Sequence, residues 1–329
     1  MRGIMMPLFS VIVPCYNARE SIVRCINSLV NQTFQDFEII LIDDCSQDDT
    51  YNLIKEYIKD IPLDIKLLRN THNAGPAYTR NVGIANSRAT YVAFCDSDDW
   101  YESNYLQLMH NIATNQSADI VFCNSRRVFS NGKHMPLNNI YGIPKNGLVK
   151  DILVTGVDSL GSIIVKRHII SKYNIPDLRN GEDMAIIPVL IANSKKFGFV
   201  EDNIYNYYYS GDSLSTKVSP QVVDSLIKSF AFIEENLDNH LNRECEYLGV
   251  RNVMYGALLN TFKVTYQPSV ATNIIKEFET KYPDWSNNQY LNLLPRYKKV
   301  FLKLVKKRNF FGIWVMAQMH TVSLKFKLV

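Results

Sequence analysis

Several absences narrow the field before any motif is considered. None of the six cysteines, at positions 15, 25, 45, 95, 123 and 245, forms a CxxC pair. Cys15, Cys45 and Cys95 lie in apolar segments, where a free cysteine behaves as a small buried hydrophobe, so reduced core thiols are expected. No stretch approaches the roughly 20 apolar residues needed to span a bilayer, and Phe310–Ala317 is far too short. The opening apolar run, Ile4–Pro14, passes directly into polar Cys15-Tyr16-Asn17 without a small-residue cleavage site. It reads as a first strand rather than an export signal, and a cytosolic protein is the expectation. GxGxxG after a strand and GxxxxGK[ST] are both missing, so neither common nucleotide loop is present. Internal repeats and low-complexity blocks are missing too.

Acidic residues are unevenly spread. From Arg296 to Val329 there are nine Lys or Arg and no Asp or Glu, so the chain's net charge of +4 belongs to its tail and the rest is net acidic. Across Lys298–Lys307, helical spacing gathers Lys298, Lys299, Lys303, Lys306 and Lys307 on one half of a helix. Val300, Phe301, Leu304 and Val305 fall on the other, with Leu302 off the pattern. Phe310, Phe311 and Trp314 follow. Such a segment suits either an interfacial helix on an anionic membrane or a helix docked on the protein with a solvated basic face. No recognised fold or interleaving of aromatic and basic residues supports a nucleic-acid partner.

The composition, 47% hydrophobic and 21% charged, is that of a globular protein. Over the first ~125 residues strand-like and helix-like patterns alternate. Strands are predicted at Leu8–Pro14, Phe37–Ile42, Ile65–Leu68, Thr90–Cys95 and Ala118–Cys123. Helices are predicted at Glu20–Val30, Thr50–Lys59, Ala77–Asn86 and Asn104–Thr114. Continuous β-branched runs spaced by helices imply an α/β fold on a mostly parallel sheet, covered on both faces. Residues 126–215 are less regular, with strand pieces at Ser162–Val165, Phe197–Val200 and Tyr205–Tyr209 and a helical run after Gly181. From about Ser219 the pattern is helical. The expected division is therefore a catalytic domain, 1–215, and a helical C-terminal region, 216–329.

Ligands of open parallel sheets bind beyond the carboxyl ends of the strands. Four segments fall there: Pro14-Cys15-Tyr16-Asn17, Asp43-Asp44-Cys45-Ser46, Asn70 to Pro76, and Asp96-Ser97-Asp98-Asp99. The last is the sharpest. Three carboxylates within four residues repel one another unless a cation or a donor lies between them. Mg²⁺ and Mn²⁺ characteristically take few protein carboxylates together with substrate phosphates. The cluster suits a metal–diphosphate site, or else an acidic turn capping the next helix. The spaced Gly and distant Glu of an EF-hand are missing, which argues against that loop. Gly181-Glu182-Asp183 opens a helical run, where acids also serve as dipole partners.

These segments, in this order, resemble the signature of family-2 inverting glycosyltransferases of the GT-A fold, over about residues 8–215. The pieces are VPCYN (13–17), IDDCS (42–46), NAGP (73–76) with Arg80-Asn81, and DSDD (96–99). Cys45 stands where the family usually has Gly. The resemblance implies a UDP-sugar donor site formed by Pro14, Tyr16, Asn17, Glu20, Asp43, Asp44, Arg80, Asp96, Ser97, Ser213 and Ser215. Tyr16 would give the base a flat surface and Asp43 would accept the uracil N–H. It implies Asp98, with Asp96, as ligands for Mn²⁺ or Mg²⁺, Asp183 as catalytic base and Glu182 as its orienting neighbour. Tyr207 to Ser215 resembles the family's loop over the diphosphate. The implied reaction transfers a hexose or N-acetylhexosamine, with inversion, to a glycan or polyprenyl-diphosphate-linked sugar, in the assembly of a surface polysaccharide such as O-antigen or capsule. With the basic tail, this places the protein at the inner face of the cell membrane. A nucleotidyltransferase would need a Gly-rich basic loop where PCYNARE stands. A non-catalytic nucleotide- or sugar-binding scaffold of a polysaccharide assembly complex is the reading from another class, which the intact DSDD and ED pairs oppose.

Overall fold

The computed structural model describes residues 6–137, 140, 148–155, 157, 159–178, 181–209 and 219–327, with side chains to 322. Ser213 and Ser215, and most of the segment expected to fold over the diphosphate, lie outside the described residues. The chain packs as two compact units, one of Met1–Asp177 with Ile186–Asp212 and the other of Leu178–Ala185 with Ser213–Val329.

The first unit is built on one sheet. Its opening strands are β1 (Phe9–Cys15), β2 (Phe37–Asp43), β3 (Asp64–Arg69) and β4 (Tyr91–Phe94), joined through helices α1 (Ile22–Val30), α2 (Thr50–Tyr57) and α3 (Gly75–Asn86). All pair in parallel, as the buried β-branched runs predict, in the spatial order β3-β2-β1-β4. β1, β2 and β4 are buried almost throughout, because helices cover both faces. The α3 helix lies close on β1: a methyl added at Gly83 would collide with Ile12 Cγ2, so only glycine fits there.

The second half of the sheet departs from the parallel expectation. It holds β5 (Trp100–Tyr101), α4 (Tyr105–Asn115), β6 (Ile120–Phe129), β7 (His134–Pro136), α5 (Val149–Thr155), β8 (Ile163–Lys166), α6 (Arg167–Ile170), α7 (Glu182–Ala192) and β9 (Phe197–Tyr209). Strand β8 inserts antiparallel between β4 and β6, making the sheet mixed. The two strand pieces predicted at 197–200 and 205–209 are one 13-residue strand. Its pairing with β6 shifts register opposite Cys123–Ser125. Exposed Glu201 and Asp202 break the apolar alternation there, and a bulge absorbs them. Trp100–Tyr101, too short to register as a strand in sequence, pairs with Tyr205 and Asn206 of β9.

The second unit is helical: α8 (Pro220–Asn236), α9 (Asn242–Gly249), a wide π-helical stretch Val250–Ala257, α10 (Leu258–Val264), α11 (Pro268–Lys281), α12 (Arg296–Lys306) and α13 (Phe310–Lys327). No helix among the described residues is long and apolar enough to cross a membrane. The tail helix corrects the expected pattern. On α12 the buried residues are Phe301, Leu302 and Val305, while Val300 is exposed. The apolar face packs inside the helical unit, with Phe301 edge-on to Tyr255 at 5.1 Å, and is not free to enter a bilayer.

All six cysteines are free thiols. Five are buried, and burial raises the pKa of Cys15, Cys95, Cys123 and Cys245. Cys45 is the exception to the buried expectation. It is half-exposed at φ 58°, the left-handed conformation that glycine adopts without strain.

Candidate active site

The loops following β1, β2 and β3 are sewn together by short polar side chains. Asn17, itself left-handed at φ 48°, receives Gln47 N–H on its Oδ1 at 2.9 Å and donates its own N–H to Ser46 Oγ at 3.0 Å. Ala18 N–H donates to Thr50 Oγ1 at 2.8 Å. Asn17 is thus spent on holding two loops in register. Pro14 is half-buried, whereas Tyr16 and Glu20 are exposed, Tyr16 by 41%. A large aromatic left open beside a fixed loop is available to stack on a planar ligand.

Asp43 and Asp44 differ sharply despite adjacency. Asp44 accepts from Asn70 Nδ2 at 2.7 Å, Ala74 N–H at 3.0 Å and Gly75 N–H at 2.8 Å. Its oxygens therefore hold the start of α3, and it belongs to the scaffold rather than to an open ligand surface. Asp43 is fully buried. One oxygen, Oδ2, faces Arg69 at 3.1 Å and receives Ser46 N–H at 3.2 Å. The other, Oδ1, is buried with no hydrogen-bond partner. Buried polar atoms are normally paired; an unpaired carboxylate oxygen here is an acceptor waiting for a donor N–H. Arg69 was not anticipated from sequence. The signal was the parallel β2–β3 register, which puts Asp43 beside Arg69.

The DSDD cluster splits into three roles. Asp96, partly exposed, is paired with buried Arg80 at 2.7 Å. Asp99 is buried; it accepts a short hydrogen bond from the Tyr205 hydroxyl and another from Tyr208 N–H at 2.8 Å. Burial first, then the charges of Asp96 and Asp98, push its pKa well up. Asp98 is exposed, though protein crowds its carboxyl closely enough to strip part of its water. Loss of water, then the Asp96 charge, raises it to about 6. Ser97 is half-exposed. Asp96 and Asp98 thus place two hard oxygen donors on one turn, and their mutual repulsion is what a divalent cation relieves. Among the described residues no three His, Cys, Asp or Glu side chains form a self-sufficient metal cage. The donor set fits a cation completed by diphosphate oxygens and water rather than a dedicated protein site.

Residues 10–173 match the model of glycosyl transferase family 2. The chain belongs to that family. Among curated relatives, TuaG of Bacillus subtilis, a glycosyltransferase assigned to teichuronic acid biosynthesis, is 29% identical over 54% of this chain and 70% of its own length. Other relatives are larger: the chain spans 34% of the poly(ribitol-phosphate) beta-glucosyltransferase of Bacillus spizizenii. Among solved structures, S. aureus TarS 1-349 in complex with UDP-GlcNAc superposes at TM-score 0.74 over 96% of this chain and 92% of that one, at 21% identity. A mannosyltransferase from Pyrobaculum calidifontis, in complex with GDP-Man and Mn²⁺, superposes at 0.58 with 14% identity over 96% of this chain and 87% of that one. The fold is thus the GT-A glycosyltransferase fold, and the loops described above stand at the ends of its strands.

Outside these loops, Gly181 is left-handed at φ 94° and leads into α7, whose first turn carries Glu182 and Asp183, both half-buried. The helix continues with Ala185, Ile186, Ile187, Val189, Leu190 and Ile191 all buried. A helix with a buried body therefore carries the pair in its first turn.

Proposed function

We propose that this glycosyltransferase takes a UDP-sugar as donor and transfers the sugar, with inversion, to a hydroxyl of a glycan or lipid-diphosphate-linked sugar in surface polysaccharide assembly. The observation that carries the donor reading is the buried, unpartnered Asp43 Oδ1, an acceptor suited to the uracil imide N–H. Exposed Tyr16 supplies the stacking surface. The UDP-GlcNAc held by TarS supports the same reading.

Asp98 and Asp96 are the proposed metal ligands, with Mn²⁺ or Mg²⁺ as the ion. When bound, the cation supplies charge neutralisation for the departing diphosphate. Arg80 fixes the direction of Asp96 through their ion pair. Asp183 is proposed as the general base that takes the acceptor hydroxyl's proton during attack on the anomeric carbon, with Glu182 orienting base or acceptor. The leaving UDP departs on the opposite side, so no covalent intermediate is required. Ser213 and Ser215 remain proposed diphosphate donors. The test is UDP release from a panel of UDP-sugars with Mn²⁺, with and without sugar or lipid-diphosphate-sugar acceptors. Binding of UDP without acceptor-dependent release from any pairing would favour a non-catalytic scaffold.

The proposed partner of the tail is an anionic membrane surface, at the inner face of the cell membrane. Because α12 is docked by its apolar side, the contact passes to α13, which exposes Phe311, Met319 and Val322; the segment 296–329 carries nine Lys or Arg in sequence. Each Lys or Arg near an anionic surface is worth about 1 kcal/mol. Flotation with anionic liposomes at low salt should carry the protein, while neutral liposomes or high salt should not. Failure to float with anionic lipid at low salt would restrict the tail to a docked helix.

A further inference from the structure

We infer that Arg24, on α1, is a positioning residue for the transfer reaction, fixing Asp98 through its backbone. The inference rests on the proposed role of Asp98 at the metal. A ligand carboxylate must be held in direction, and the three acids of the DSDD turn are held differently. Asp96 is gripped by Arg80, and Asp99 by Tyr205 and Tyr208. Among the described residues no side chain hydrogen-bonds the Asp98 carboxylate; it takes a hydrogen bond from its own N–H and lies within reach of the Arg24 charge, so its direction is tied to its main chain. Two hydrogen bonds set that main chain. Asp99 N–H donates to the Asp96 carbonyl at 2.9 Å and closes the turn. Arg24 Nη2 donates to the Asp98 carbonyl at 2.7 Å and anchors its apex.

Arg24 is itself held. Its guanidinium carbon lies 4.4 Å from the Trp100 ring centroid and 4.6 Å from that of Tyr208. Both rings are fixed to the same junction. Trp100 pairs with Asn206 on β9, and the Tyr208 N–H bonds to Asp99. One planar cation therefore ties α1, the DSDD turn and the end of β9 together. Arginine suits the task because it stacks through its face while donating in its plane, which the point charge of a lysine cannot do. A surface arginine with only a packing role would not need to place its N–H on the main-chain carbonyl of Asp98, the exposed acid of the cluster that no other side chain holds.

The experiment compares full-length wild type, Arg24→Ala and Arg24→Lys. Mn²⁺ binding in the presence of UDP is followed by electron paramagnetic resonance, together with metal-free UDP affinity, thermal unfolding, kcat and donor KM. Loss of an outer support typically costs about 10- to 100-fold in metal affinity or activity. Arg24→Ala is expected to weaken Mn²⁺ binding and lower kcat by about 10-fold or more, with metal-free UDP affinity and unfolding close to wild type. Arg24→Lys, which keeps the charge, is expected to recover only part of both. Should the alanine variant fail to fold, the lysine variant decides, and wild-type Mn²⁺ affinity and kcat in it overturn the inference. So does unchanged Mn²⁺ affinity in a folded Arg24→Ala. A wild type that binds no Mn²⁺ with UDP instead overturns the metal reading of Asp98, and the inference falls with it.

Discussion

The two acidic clusters at the sheet edge, Asp43-Asp44 and Asp96 to Asp99, solve the same problem in the same way. Each lies where a buried strand ends, and each spends one carboxylate on structure while leaving another short of partners. Asp44 holds Asn70, Ala74 and Gly75, and Asp99 holds Tyr205 and Tyr208. Asp43 keeps a buried oxygen unpaired and Asp98 keeps its carboxylate open. The clusters differ in kind of vacancy. At Asp43 it is a single enclosed acceptor, suited to one N–H. At Asp98 it is a crowded negative charge, suited to a cation. Adjacent acids in sequence therefore carry opposite duties, and the duty is set by which neighbours reach them.

The largest effect should come from the acid pair outside both clusters. Asp183→Asn should lower turnover by about 10²–10⁴ while leaving UDP affinity nearly intact; a parallel loss of UDP affinity would make Asp183 a donor-site or structural residue. Within the first cluster, Asp44→Ala strands three donors and should lower unfolding free energy by about 3 kcal/mol, seen as a reduced urea midpoint at unchanged slope. Stability equal to wild type would erase the scaffold-versus-ligand contrast. Asp43→Ala should weaken UDP by about 10- to 100-fold, as loss of a hydrogen bond to a charged acceptor predicts, and weaken GDP far less. Equal binding of UDP and GDP by the wild type would remove the uracil reading.

The smallest effect is also the one with opposite sign. Asp98, raised to about 6 from an ordinary 3.8, binds its proton more tightly folded than unfolded. Its contribution to stability therefore falls as pH rises from about 4 to about 6, and above that the ionised group is a net cost. Asp98→Asn should raise unfolding free energy by about 1 kcal/mol at pH 7.5 without divalent cation, after allowance for its exposure. The gain should vanish below pH 4, and added Mn²⁺ with UDP should stabilise wild type but not the variant. A destabilised Asp98→Asn at pH 7.5 would show that the turn carries no repulsion to relieve.

Much of the scaffold was legible because period and burial are local properties. Runs such as FSVIVP and FEIILI can only be strands covered on both faces, and the acids after them mark strand ends. What resisted reading depended on pairing. The antiparallel insertion of β8 and the fusion of two strand pieces into β9 follow from which edges meet. Cys45 looked buried by its neighbours, yet its left-handed backbone turns it outward. The tail's apolar face was anticipated, but Leu302 rather than Val300 completes it, because Tyr255 and the helices around it decide which side is covered.

The order of motifs along the chain determined the family and marked the strand ends that carry its acidic loops, since each motif is a short contiguous pattern tied to one strand. Only tertiary structure decided which of two adjacent carboxylates is scaffold and which is left open. It also brought Arg24, Trp100 and Tyr208, three residues with no shared motif, to a single turn. Partners that lie far apart in sequence, such as Arg80 with Asp96 or Tyr205 with Asp99, are chosen by sheet register and helix packing. Those arise from contacts summed over the whole core, which no local pattern records.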